Sequence, residues 1–190
     1  MTVNVNPADF TFFEIKQLSP MIGAELSGLK LSGDLPDAAI SEIRRALLEF
    51  KVVFFRDQHE LTAAEHIAFA RRFGDLEIHP ATPKGQEDPE ILRITHDETS
   101  KGRENAWHSD VTWRPEPSLG SILRAREVPP FGGDTLFSCM YAAYDGLSPA
   151  MKEWVSGLTA RHDIARVFAG RLNKSIEELH AQYPVLEHPV

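Results

Sequence analysis

Apolar positions recur at helical spacing in the first third of the chain and shift to short runs and alternation through its middle. From Pro36, the residues Ile40, Ile43, Leu47 and Phe50 fall three or four apart, which predicts a helix buried along one stripe and opened by proline. A second helix begins at Thr62, where the T-x-x-E pattern to Glu65 predicts a capping box, and stops at Gly74. Before them, "TFFEIKQL" and "GAELSGLKL" read as strands joined by a turn at Pro20 to Gly23, and "KVVFF" reads as a buried strand. Further strands are expected at "DLEIH" (75–79), "EILRITH" (90–96), 106–113 and "GSILRARE" (120–127), the last followed by the turn "PPFGGDT" and the apolar "LFSCM". Pro149 opens a helix carrying Met151, Trp154, Val155 and Leu158, and Ser175 caps another through Glu178.

Strands in the middle and helices at the flanks predict a mainly β protein with flanking helices (α+β), a sheet or barrel core rather than a doubly wound fold. The 190 residues suit a single domain spanning 1–190, and 42% hydrophobic with 25% charged residues is a soluble globular composition. A net charge of −8 excludes the clustered basic surface that nucleic acid requires. No basic and apolar leader opens the sequence and no apolar run would span a bilayer, so a cytoplasmic setting away from the membrane is expected. With Cys139 as the single cysteine, any metal must be held by histidine and carboxylate.

That restriction draws attention to "AWHSDVTW" at 106–113. If this stretch is a strand, alternation puts His108, Asp110 and Thr112 on one face, and Trp107, Val111 and Trp113 on the other. An imidazole and a carboxylate side by side can bind one ion, and a third ligand would complete the two-His-one-carboxylate set of non-heme Fe(II) sites. A bare H-x-D also occurs as an ordinary hydrogen-bonded or solvated pair, and its spacing alone does not separate iron from zinc or manganese. Among the other histidines, His96 with Glu98 reads as a solvated pair, His59, His66 and His162 as structural, and His180 as exposed. His79 ends an apolar run just before a polar loop, where either ligand contact or simple exposure fits. The "FGGDT" run by itself is a glycine turn.

Taken together, "WHSD" (107–110), "GGDTLF" (132–137) with "MYAAYDGLS" behind it, "KVVFFRDQ" (51–58) and "GAELSGLKLSGDL" resemble the taurine dioxygenase and TfdA-like family of Fe(II)- and 2-oxoglutarate-dependent enzymes. The resemblance implies a double-stranded β-helix, or jelly roll, with His108 and Asp110 as iron ligands and Thr135 on a carboxylate of 2-oxoglutarate. It places His79, Val111 and Asn105 at the primary substrate. It further implies oxidation of a small organic anion by dioxygen, such as an alkylsulfonate, alkyl sulfate or aryloxyalkanoate, with release of succinate and CO2, and leaves room for a homo-oligomer.

Two departures stand out. Where the taurine enzyme's pattern has a tyrosine after the substrate histidine and an asparagine before the first iron histidine, this sequence has Thr82 and Glu104. A carboxylate at 104 would repel a sulfonate unless Asn105 takes the role. The distal iron histidine and the 2-oxoglutarate arginine of the pattern lie downstream of "YPVLEHPV", and His188 belongs to the "HPV" strand start rather than to that distal motif. The expectation is therefore the front portion of a longer enzyme, with an incomplete barrel and an incomplete metal site. Two alternatives remain: a non-catalytic jelly-roll binding protein, and a zinc or manganese hydrolase or isomerase using the same H-x-D.

Overall fold

A computed structural model describes residues 6–97 and 106–190, which fall into two compact units. The first comprises Met1–Leu76 and Arg124–Pro149, and the second Glu77–Leu123 and Ala150–Val190.

In the first unit, β1 (Glu14–Gln17) pairs antiparallel with β2 (Ala24–Ser27) in the register Glu14 to Ser27 and Gln17 to Ala24. The helix α1 (Asp37–Phe50) follows, and then β3 (Val53–Phe54) returns parallel to β2. The apolar stripe read from the sequence is the face that α1 buries: Ile40, Ile43, Ala46 and Phe50 pack with Phe10, Phe13, Leu26 and Phe69. Leu26 and Ile43 are fully enclosed, so each contributes on the order of 2 kcal/mol of burial. The helix ends where Lys51 turns left-handed and its N–H caps the Leu47 carbonyl at 2.7 Å. Glu42 on α1 ties down the incoming chain, accepting from Thr11 N–H at 2.8 Å, Thr11 Oγ1 at 2.9 Å and Phe12 N–H at 3.2 Å.

The helix α2 (Ala63–Arg71) opens on the Thr62–Glu65 capping box, as the motif predicts. It approaches the loop before α1 so closely that a Cβ on Gly33 would stand 2.6 Å from Ala68 Cβ. Arg72 then donates to the Gly33 and Leu35 carbonyls at 2.6 and 2.7 Å and pairs with Asp37. A further helix, α3 (Met140–Asp145), begins at the last residue of the apolar run "LFSCM".

The second unit contains α4 (Pro149–Val155), β4 (Thr159–His162), α5 (Ala165–Leu172), α6 (Ile176–Gln182) and β5 (Leu186–Pro189). β4 and β5 form an antiparallel pair, with His162 opposite Leu186 and Ala160 opposite His188. α6 starts on the expected Ser175–Glu178 box, and Leu179 on it is fully buried. Trp113 packs edge-on against Tyr183 at 4.9 Å.

The architecture is α+β, but helices outweigh strands among the described residues, which corrects the expectation of a mainly β chain. The stretches 75–79, 90–96 and 120–127 form no ladder with any described residue. Apolar, β-prone residues make a strand only where a neighbouring backbone accepts their hydrogen bonds. In the absence of such a neighbour, Leu123, Val128, Phe131 and Leu136 remain exposed. Among the described residues, no helix is long and apolar enough to cross a membrane.

Candidate metal and anion site

The stretch 106–113 is a turn rather than a strand. Val111 adopts φ +49°, and the Arg114 N–H donates to the Val111 carbonyl at 3.0 Å, so the chain reverses directly after Asp110. A β-branched residue seldom takes a left-handed conformation, which makes Val111 a strained position. The reversal also breaks the face alternation predicted for a strand: Trp113 is 9% exposed while Trp107 is 71% exposed.

The turn nevertheless brings His108 and Asp110 together by another route. Nε2 of His108 lies 3.5 Å from Asp110 Oδ1, and the two side chains are 64% and 62% exposed. The other ring nitrogen of His108, Nδ1, donates to the Ala106 carbonyl at 2.9 Å. That bond places a proton on Nδ1, so in the neutral ring the lone pair sits on Nε2, toward the carboxylate, an orientation common in metal-binding imidazoles. Ser121 Oγ donates to Asp110 Oδ2 at 3.0 Å, which fixes the carboxylate from its other side. No cluster of three or more His, Cys, Asp or Glu side chains arranged for a metal occurs among the described residues.

His79 belongs to the same unit and lies within electrostatic reach of Asp110. Burial pushes its pKa below the ordinary imidazole value, against the opposing influence of Glu77 and Asp110. Its ring leans on Phe168 at 5.3 Å, and Nδ1 accepts the Ala81 N–H at 3.1 Å. A neutral ring that accepts at Nδ1 carries its proton on Nε2, so His79 offers one N–H donor outward. Close by in sequence, the Thr82 N–H donates to the His79 carbonyl at 2.8 Å. The Thr82 hydroxyl is buried and has no hydrogen-bond partner among the described residues.

Thr135 lies in the first unit, exposed, just past Gly132 and Gly133 at φ +76° and +72°, so the glycine turn expected of "FGGDT" is present. Glu98, Glu104 and Asn105 fall outside the described residues. His180, expected to be exposed, instead meets Asp163 Oδ1 at 3.0 Å and is half-buried. The sequence reading missed Ser121 and the pairing of Arg114 Nε with Glu77 Oε1 at 2.7 Å. Neither carries a local spacing signal, because each partner comes from a distant part of the chain.

A family profile described as "Taurine catabolism dioxygenase TauD, TfdA family" matches residues 14–190. The chain is 36% identical over 185 residues to the (S)-phenoxypropionate/alpha-ketoglutarate-dioxygenase of Sphingobium herbicidovorans, covering 94% of this chain and 63% of that one. It is 35% identical to the alkylsulfatase of Acinetobacter baylyi, covering 93% and 58%. A crystal structure of a taurine dioxygenase from Burkholderia xenovorans superposes with a TM-score of 0.74 at 34% identity, over 94% of this chain and 58% of that one. The chain thus spans less than two thirds of the length of these relatives.

Proposed function

The chain belongs to the TauD, TfdA family, and on that premise we propose that it acts as an Fe(II)- and 2-oxoglutarate-dependent dioxygenase that hydroxylates a small organic anion, releasing succinate and CO2. The observation that carries this reading is the pair His108 and Asp110. Nε2 of His108 and a carboxylate oxygen of Asp110 lie 3.5 Å apart, close enough for a proton or a cation to bridge them. An imidazole nitrogen and a carboxylate oxygen suit Fe(II), and in this reading His108 and Asp110 hold it.

Fe(II) held by these residues would activate dioxygen, the oxidant, with 2-oxoglutarate supplying two electrons as it is oxidised to succinate and CO2 and the substrate C–H bond supplying the other two. The remaining steps belong to side chains. In this reading His79, whose burial disfavours the charged ring, donates a hydrogen bond from Nε2–H to an anionic oxygen of the substrate, and the Thr82 hydroxyl donates a second. The family resemblance assigns Val111 and Asn105 to the substrate and Thr135 to a carboxylate of 2-oxoglutarate. In this reading the fold is the family's jelly roll. The phenoxypropionate and alkylsulfate relatives support an aryloxyalkanoate, alkyl sulfate or alkylsulfonate as substrate class.

The test is anaerobic addition of Fe(II) and 2-oxoglutarate, which should raise a visible charge-transfer band, followed by succinate release across the three anion classes. Tight zinc uptake with no such band and no succinate would overturn the reading in favour of a hydrolytic metalloenzyme.

A further inference from the structure

We infer that His188 is a positioning residue that clamps the turn behind Asp110 and so sets the direction of that carboxylate. His188 sits on β5, and its Nε2 lies 2.8 Å from the Thr112 carbonyl and 3.1 Å from the Arg114 carbonyl. Both partners are carbonyl oxygens and accept only, so Nε2 carries a proton and donates to both. That use of Nε2 leaves this nitrogen no lone pair for a metal, so it serves the backbone of the turn.

The turn needs such a clamp. Val111 holds a left-handed φ of +49° that its branched side chain disfavours, so the local sequence does not maintain the reversal by itself. Contacts from elsewhere in the unit supply the restraint. His162 on β4 meets the Thr112 hydroxyl through Nδ1 at 2.7 Å, and its ring stands edge-on to that of His188 at 5.0 Å. On the side chain of Arg114, Glu77 adds a third anchor at 2.7 Å. Of these, only His188 grips two main-chain carbonyls of the turn at once.

The inference rests on the reading of Asp110 as a metal ligand for its consequence, but not for the clamp itself, and the two are tested separately. In the metal-free full chain, His188→Phe, which keeps the ring and removes the donor, should raise amide exchange at Arg114 about tenfold. His188→Gln, whose amide still donates, should stay within about threefold of the parent. The amides of α6 should not change in either variant. If His188→Phe does not fold, His188→Leu takes its place. Fe(II) affinity, measured by anaerobic titration, should fall about tenfold to a hundredfold in His188→Phe and be rescued in His188→Gln.

Unchanged exchange at Arg114 in His188→Phe overturns the clamp, and so does an equal loss in the Gln variant. Faster exchange with unaltered Fe(II) affinity overturns the positioning of Asp110. A parent chain that takes up no Fe(II) overturns the iron reading instead, while the exchange comparison still decides whether His188 holds the turn.

Discussion

His108 Nε2 faces Asp110 Oδ1 at 3.5 Å, with the His108 Nδ1 proton committed to the Ala106 carbonyl. The pair is exposed and makes no contribution to a packed core, so its removal separates chemistry from stability. Asp110→Ala should abolish Fe(II) uptake and succinate formation while unfolding free energy moves by less than about 0.5 kcal/mol. His79→Ala should instead keep Fe(II) uptake and raise KM for the organic anion, by about tenfold for one lost hydrogen bond to a charged group. Anaerobic titration and succinate assays on the two variants check this, and equal loss of both properties in both would contradict the roles assigned.

Thr82 presents a buried hydroxyl with no partner among the described residues. A hydroxyl left in that state costs about 1–3 kcal/mol, a cost that a bound anion would relieve. Thr82→Val should therefore leave the ligand-free protein as stable or more stable in denaturant melts, and raise KM for the organic anion. A variant that is less stable, with KM unchanged, would assign the hydroxyl to folding alone.

Gly33 is the most tightly packed of the described glycines: an added Cβ would meet Ala68 Cβ at 2.6 Å and the Ala68 carbonyl carbon at 3.3 Å. The same loop carries the Gly33 and Leu35 carbonyls that hold Arg72. Gly33→Ala should cost about 1–3 kcal/mol through overpacking, read as a lower denaturation midpoint with an unchanged slope.

Burial opposes ionisation of Glu42, yet the Thr11 and Phe12 N–H groups, the Thr11 hydroxyl and Arg45 outweigh it and hold its carboxyl below the ordinary value. A folded-state pKa below the unfolded one contributes stability above the unfolded value, and that contribution is lost as pH falls through the folded value. Denaturation midpoints should thus decline as pH drops below about 4.3, the ordinary glutamate value. Glu42→Gln should flatten that decline, by under about 1 kcal/mol given how exposed the group is. An identical pH profile in the variant would contradict this role.

Capping boxes, the apolar stripe of α1 and the glycine turn before Thr135 were legible because each is encoded within a few consecutive residues. The helix α5 was not, since its apolar positions, Val167 and Phe168 among them, are interrupted by Gly170 and lack a capping motif at Ile164. The strands expected in the middle of the chain failed for a different reason: alternation states which side chains could share a face, but not whether another backbone lies alongside.

The candidate site divides along the same line. The sequence by itself determined which groups could bind a cation, since His108 and Asp110 are two residues apart and any compact local conformation keeps them near each other. Only the tertiary structure decided how they meet. Val111 reverses the chain against its own preference, and the contacts that sustain the turn, from His188, His162 and Glu77, come from residues 34 to 77 positions away in unit two, at separations no local pattern records.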